Sequence, residues 1–249
     1  MSPTAAGARL EIASLGKNFR GLRAVHDVSF AVPAGAIHAL IGPNGAGKTT
    51  IFNMIAGVFA PDSGVVRLDG QPISGLRPDH ICDAGVGRTF QLVKPFKGLS
   101  VLENVTVGAL HRQRDLARAR DDAAAILSRL GLHDRRHQLA QNLTLPDRKR
   151  LEVARALAMR PRLLLLDEVM AGLNGVEVEQ ALQMVRQVRE RGITIVLIEH
   201  VMKVIVGICN RALVLNFGRT LVEGPPAEVL KDRRVIEAYL GQRYARDHG

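Results

Sequence analysis

The chain has 249 residues, of which 47% are hydrophobic and 23% charged, a composition typical of globular proteins. No apolar run approaches the roughly 18 residues that a membrane-spanning helix needs, and residues 1–10 lack the apolar centre of a signal peptide. The net charge of +10 suits nucleic acid, an anionic membrane surface or an acidic partner, and equally a set of solvated arginine-rich helices. Aromatic residues make up only 4% and Trp is absent, which argues against stacking platforms for single-stranded nucleic acid.

The N-terminal third of the chain has the pattern of β structure. Residues 8–40 alternate apolar and polar positions around turns at 19–21 and 33–35, which predicts short strands. The apolar run 37–41 predicts a buried strand, and residues 49–56 after it predict a helix that ends at Gly57. A turn at 61–64 then leads into another short strand over 65–69.

The rest of the chain alternates helical and apolar strand patterns. From about 100 to 160 the pattern is helical, including a helix over 114–130. The apolar runs 163–167 and 193–198 flank an amphipathic helix over 176–191, and strand–helix–strand order predicts a parallel sheet. The two cysteines, Cys82 and Cys209, lack metal-like spacing and are expected to be free buried thiols of a reducing compartment.

A phosphate-binding loop joins the predicted strand at 37–41 to the helix after it. The segment Gly42-Pro43-Asn44-Gly45-Ala46-Gly47-Lys48-Thr49 fits the G-x-x-x-x-G-K-[ST] pattern at every fixed position. Its backbone N–H groups and the positive end of the helix would surround a polyphosphate, so this segment and Thr50 form the predicted nucleotide site. Lys48 is expected to reach the β- and γ-phosphates, and Thr49 to offer its hydroxyl to Mg²⁺. The alternative, a glycine-rich strand-to-helix turn that binds no ligand, is disfavoured because a lysine at this position would have no structural role in it.

Two of the buried strands end in polar residues. Residues 163–166 lead into Asp167 and Glu168, and the later strand leads into His200. In open parallel sheets, ligands bind at the carboxyl ends of the strands. Asp167 is therefore predicted to bind Mg²⁺, and Glu168 to activate water against the γ-phosphate. The alternatives are a solvated strand end for the acids and a purely structural role for the histidine.

The order of these pieces resembles the ATP-binding cassette (ABC) ATPases over nearly the whole chain. The resemblance implies an α/β phosphate-loop NTPase fold in one domain, 1–249, that binds ATP and Mg²⁺. Its core, about 1–91 and 155–249, would contain a parallel central sheet and an N-terminal antiparallel β layer. A helical subdomain would be inserted at about 92–154.

The same resemblance implies roles for residues that carry little signal alone. Phe19 resembles the aromatic that stacks on adenine, and Gln91 the lid glutamine that senses Mg²⁺ and the attacking water. His200 resembles the switch histidine that contacts the γ-phosphate, and 171–174 the loop that crosses a dimer interface.

A finer resemblance is to the ATPase subunits of branched-chain amino-acid importers. It is carried by residues 87–91, 167–174, 198–203 and 235–241. It implies the motor of an importer for branched-chain or other hydrophobic amino acids or small amides, bound peripherally at the cytoplasmic face of the inner membrane. The implied partners are a second cassette, expected to form a heterodimer, transmembrane permeases and, indirectly, a periplasmic or extracellular solute-binding protein. Nucleic acid is not among them.

One motif departs from the family. The signature Leu-Ser-Gly-Gly-Gln is replaced here by Leu143-Thr144-Leu145-Pro146-Asp147. Thr144 keeps a hydroxyl and remains a predicted nucleotide contact, but Pro146 lacks the N–H of a glycine and Asp147 would place a negative charge beside an incoming anion. The positions Thr144 and Asp147 also fit an ordinary capping box.

This departure keeps a second function open, a catalytically weak nucleotide-binding subunit whose partner does most of the hydrolysis. A non-transport ABC ATPase is a third alternative. Such proteins usually carry two cassettes or a long insertion before the signature, and neither is seen in this sequence.

Overall fold

The computed structural model describes residues 7–89 and 95–240 and contains two β-sheets and a set of helices. The strands, in chain order, are β1 Leu10–Phe19, β2 Leu22–Val32, β3 Ile37–Ile41, β4 Ser63–Leu68, β5 Gln71–Pro72, β6 Val86–Arg88, β7 Leu163–Asp167, β8 Thr194–Ile198, β9 Arg211–Asn216 and β10 Arg219–Gly224. The helices are α1 Lys48–Ile55, α2 Pro78–Asp83, α3 Val101–Leu110, α4 Leu116–Arg129, α5 Leu145–Ala158, α6 Gly175–Glu190, α7 Met202–Ile208, α8 Pro226–Val229 and α9 Arg233–Leu240.

The larger sheet brings together the three strands that the sequence places beside the nucleotide. Its strand order is β10-β9-β3-β8-β7-β6, and only β10 runs antiparallel to its neighbour among these described strands. Strands β3, β8 and β7 are adjacent and parallel, as predicted, and their carboxyl ends share one edge.

The smaller sheet forms the predicted antiparallel layer, with the order β2-β1-β4-β5. Its first two strands are long rather than short, with 10 and 11 residues. They are joined by a tight turn in which Arg20 and Gly21 both have positive φ, the geometry that suits a hairpin. Register shifts within the β1–β2 pair interrupt its alternation, which explains why the sequence indicated several short strands.

The central sheet is covered on both faces. Along β7, Leu163 and Leu165 pack into the core shared with the antiparallel layer, whereas Leu164 and Leu166 pack into the core shared with the helices. A strand buried on both faces has a continuous apolar sequence, and this is the sequence of β7.

The described part of the segment between β6 and β7 is mainly helical. Helices α3, α4 and α5 pack on one another through buried residues such as Val105, Leu127 and Leu151. A capping box of Ser100 and Glu103 starts α3. The limits of a separate helical subdomain, 92–154, stay a prediction.

Two composition-based expectations can be compared with the described residues. Both cysteines are free, but they are half-buried rather than buried. No described helix combines the length and hydrophobicity that crossing a bilayer requires.

Candidate functional site

The phosphate loop leaves the carboxyl end of β3 and enters α1. Gly47, with φ 102°, precedes the first residue of the helix, Lys48. The ammonium of Lys48 donates to the carbonyl oxygens of Gly42 (2.6 Å) and Pro43 (2.9 Å), so its side chain curls back over the loop. A Cβ on Gly42 would lie 2.1 Å from the carbonyl oxygen of Leu215 on β9, so close packing requires the glycine.

The electrostatics of Lys48 link it to the acids at the end of β7. Burial lowers its pKa, and the negative charges of Glu168 and Asp167 act in the opposite direction. The structure thus places the lysine and both acids at one edge of the sheet, as the sequence predicted. Thr49 and Thr50 follow Lys48 in the first turn of α1.

Asp167 is only 2% exposed and is held by the end of β6. Arg88 donates from Nη2 to its carboxylate (3.3 Å), and the backbone N–H of Asp167 donates to the hydroxyl of Thr89 (3.1 Å). Burial raises the pKa of Asp167, whereas the charges of Arg88 and Lys48 lower it.

The role of Arg88 was missed at the sequence level. The guanidinium also donates to Asn53 on α1, at 2.5 Å, so it bridges the helix and the acid. In the sequence, Gly87-Arg88-Thr89 carries only a family resemblance. The Arg88 side chain is 10% exposed, and its position on the strand beside Asp167 becomes visible only through strand pairing.

Glu168 and His200 meet across the ends of β7 and β8. Nε2 of the histidine lies 2.9 Å from Oε1 of the glutamate, and both side chains keep access to solvent. Glu168 has a φ of 49°, an uncommon conformation that costs about 1–3 kcal/mol and persists only where its surroundings enforce it. Its N–H donates to the carbonyl of Ile198 (3.0 Å), and its carbonyl accepts from the ammonium of Lys149 (2.7 Å).

The buried side chain of Glu199 stabilises the backbone beside the Glu168–His200 pair. It is 1% exposed, its Oε1 accepts from the backbone N–H of Met170 (2.9 Å), and its Oε2 accepts from the N–H of His200 (3.3 Å). Burial raises its pKa. Glu199 therefore ties Met170, in the segment after Glu168, to the backbone of His200, a supporting role that the sequence did not indicate.

The start of α5 corrects two expectations about the variant signature. Thr144 precedes the helix without a side-chain capping bond, and its hydroxyl donates to Oδ2 of Asp147 (2.7 Å). Asp147 is 4% exposed and is paired with Arg135 and, at 3.3 Å, with Arg150. Its negative charge is therefore buried and compensated within the chain, rather than directed at an incoming anion.

Of the remaining predicted site residues, Phe19 belongs to the antiparallel layer. Phe19, at the end of β1, is 37% exposed and packs edge-to-face on Phe59 with ring centroids 5.2 Å apart. An exposed ring at the hairpin end suits a stacking surface better than a core position. Gln91 lies outside the described residues.

A glycine-rich loop entering a helix at the carboxyl edge of a parallel sheet, with a lysine and paired acids around it, defines the class of phosphate-loop NTPases. The ABC transporter family matches residues 25–171, and the family of branched-chain amino acid ATP-binding cassette transporters matches residues 219–245. The chain therefore belongs to the ABC transporter family of ATPases, which bind ATP and couple its hydrolysis to transport.

Relatives from several bacteria resemble nearly all of the chain. The high-affinity branched-chain amino acid transport ATP-binding protein LivG of Escherichia coli is 39% identical over 250 residues, covering 94% of this chain and 98% of the relative. BraF of Pseudomonas aeruginosa, described in the same words, is 38% identical with the same coverage. The lipopolysaccharide export system ATP-binding protein LptB of Acidithiobacillus ferridurans is 36% identical over 235 residues, again covering 94% and 98%.

Solved structures agree with the fold. A nucleotide-free ATP-binding cassette from an ABC transporter is 28% identical, with a TM-score of 0.87 and coverage of 94% of this chain and 100% of that one. A second cassette, in its ADP conformation, is also 28% identical, with a TM-score of 0.86 and coverage of 94% and 99%.

Proposed function

We propose that the chain is the ATP-hydrolysing subunit of an ABC importer for branched-chain or other hydrophobic amino acids or small amides. The observation that carries the catalytic half of this proposal is the meeting of Lys48, Glu168 and His200 at one edge of the sheet. The cargo class is supported by the family match at residues 219–245 and by the LivG and BraF relatives.

In this proposal each residue of the cluster acts on the terminal phosphates. Lys48 exchanges its two carbonyl partners in the loop for phosphate oxygens, which are stronger acceptors because they are charged. Glu168 accepts the proton of the attacking water. His200, hydrogen-bonded to that carboxylate, holds it in place and reaches toward the γ-phosphate. Phe19 stacks on the adenine, Thr144 contacts the nucleotide of the partner cassette, and Gln91 assists the water.

The residues present also suit Mg²⁺. No group of three or more His, Cys, Asp or Glu side chains in the described ranges could hold a metal by itself. Mg²⁺ is commonly bound by one or two protein oxygens together with water and phosphate, and here these would be the Thr49 hydroxyl and the Asp167 carboxylate. Bound there, Mg²⁺ would neutralise charge on the β- and γ-phosphates.

The proposed assembly is a dimer with a second cassette, on transmembrane permeases that receive cargo from a solute-binding protein. Pro146 supports a heterodimer. It occupies the first turn of α5 and offers no N–H to a phosphate on the facing subunit. A partner with intact signature glycines would complete the site on this chain's own loop.

The catalytic half is tested by ATP binding and hydrolysis in two variants. Glu168→Gln should retain ATP binding and lose roughly 10²- to 10⁴-fold in hydrolysis, the usual contribution of a positioned base. Lys48→Ala should weaken both, because the ammonium acts on bound ATP as well as on the transition state. The exposed Glu190→Gln is the matched control and should change neither. Unchanged hydrolysis in Glu168→Gln would show that another residue positions the water.

The cargo is tested in cells. A strain whose only copy carries Glu168→Gln should lose uptake of labelled leucine at low external concentration, and the unsubstituted gene should restore it. Lipopolysaccharide at the cell surface should be unaffected. Normal leucine uptake together with a defect in lipopolysaccharide would favour an exporter function instead, in line with the LptB relatives.

A further inference from the structure

The C-terminal helix α9 touches the phosphate loop. The backbone N–H of Gly42, the first residue of the loop, donates to the hydroxyl of Tyr239 at 2.7 Å, across 197 positions of sequence. A groove of about 630 Å³ runs between the loop residues 43–46 and the same helix. The helix thus lies along the loop, and one hydroxyl joins them.

Gly42 also contacts Lys48 of the proposed nucleotide site. Gly42 donates its N–H to Tyr239 and accepts the ammonium of Lys48 on its carbonyl. The two bonds lie on either side of one Cα, so together they restrain both backbone torsions of a residue that has no side chain to do so. Further along the loop, the carbonyl of Ala46 accepts from the N–H of Gly218 (3.1 Å), which fastens the other side.

Tyr239 is itself held firmly. Its ring is half-buried against the helical core, burial raises its pKa, and the hydrogen bond from Gly42 acts in the opposite direction. One turn earlier, Val235 is 2% exposed in that core. At the start of α9, the side chain of Asp232 accepts from the N–H of Arg234 (2.8 Å). The hydroxyl is therefore presented by a helix that is packed and capped.

We propose that Tyr239 is a positioning residue for nucleotide binding, and that α9 is a clamp that keeps the entrance of the phosphate loop in its binding conformation. When Lys48 leaves the Gly42 carbonyl for a phosphate, the bond on the N–H side remains and holds the glycine. A loop that is already ordered loses less conformational entropy on binding. The inference rests on the proposed role of the loop as the nucleotide site.

The test is Tyr239→Phe, which removes one oxygen and keeps the ring. Calorimetric titration with ATP and Mg²⁺ should give a Kd raised roughly three- to tenfold, the worth of one hydrogen bond. The KM for ATP should rise by the same factor, with kcat changed less than about twofold, because the bond does not touch the reacting atoms. Amide hydrogen exchange at Gly42, followed by NMR, should become faster.

Ile126→Val is the stability-matched control. Ile126 lies on α4, and shortening a buried isoleucine to valine typically costs about 0.5–1.5 kcal/mol, comparable to the loss of one hydrogen bond. It should lower the melting temperature and leave both the Kd and the Gly42 exchange rate unchanged.

The outcomes distinguish a failure of the proposed role of Tyr239 from a failure of the assignment of the loop as the nucleotide site. If Tyr239→Phe melts earlier but binds ATP as tightly as the unsubstituted chain, the hydroxyl is only structural and the clamp is overturned. An unchanged Gly42 exchange rate would overturn it as well. If the unsubstituted chain does not bind ATP, or Lys48→Ala does not weaken binding, the assignment of the loop itself fails.

Discussion

Replacing Asp147 by asparagine separates two roles for the variant signature. The carboxylate is 4% exposed and bonded to Arg135, Arg150 and the hydroxyl of Thr144. Hydrogen bonds to charged groups contribute about 1.5–3 kcal/mol each. The two arginine side chains are 46% and 23% exposed, so solvent screens the pairs and the estimate must be reduced. We expect Asp147→Asn to lower the free energy of unfolding by about 2 kcal/mol.

The assay is thermal and denaturant unfolding of the purified chain, with ATP hydrolysis measured in parallel. For a chain of this size, a loss of about 2 kcal/mol corresponds to a fall in melting temperature of about 4–8 °C. The exposed neighbour Asp134→Asn is the control and should stay within about 0.5 kcal/mol. Unaltered stability in Asp147→Asn, combined with faster hydrolysis, would refute this reasoning and show that the carboxylate repels the nucleotide.

Three further predictions concern the signature, the adenine and the buried histidine. Pro146→Gly, with Asp147 kept, should raise kcat of the assembled dimer, because one preorganised N–H donor contributes about 2.7–4 kcal/mol to a transition state; unchanged kcat would show that this donor is not used. Phe19→Ala should raise the KM for ATP with a modest change in kcat, since stacking is worth roughly 1–3 kcal/mol; a loss of thermal stability with KM intact would make the ring a packing residue. His38 is 1% exposed and its pKa is lowered to about 4, chiefly by burial and then by the charge of Arg211. Between pH 6.5 and 4 the unfolded chain therefore takes up a proton that the folded chain does not, so the contribution of His38 to the free energy of unfolding is complete above pH 6.5 and is lost as the pH falls. His38→Leu should reduce the difference between the unfolding free energies at pH 7 and pH 5 by about 2 kcal/mol. An identical pH dependence in both chains would contradict the buried neutral state.

Local patterns predicted the fold and part of the site. The loop motif, the apolar strands and the acids after them are contiguous in sequence, and parallel strands bring their ends to one edge, so the positions of Lys48, Asp167 and Glu168 could be foreseen. The contacts that hold these residues could not. Arg88 reaches Asp167 across 79 positions and Tyr239 reaches Gly42 across 197, and no periodicity records such pairs.

Other differences have equally physical causes. Bulges in β1 broke the alternation by which strand length is judged. The pairing of Asp147 with Arg135 depends on the turn before α5, which propensity does not describe. The cargo and the partner cassette remain predictions, because one isolated chain contains no contact with either. The limits of the helical subdomain also remain a prediction.

Strand β7 contains four consecutive leucines, so its apolar residues alone do not determine its register in the sheet. A slip by one residue turns every side chain to the opposite face, and strands normally resist it because the wrong residues become buried. Here both faces lie against apolar cores, so leucine would replace leucine and the hydrophobic effect would scarcely distinguish the two alignments. The distinction falls to polar atoms at the strand end: the N–H of Thr89 on the Leu165 carbonyl (2.9 Å), the Thr89 hydroxyl that accepts from Asp167, and the guanidinium of Arg88. The atoms of Arg88 and Thr89 that position Asp167 at the nucleotide edge of the sheet thereby also determine the native register of β7.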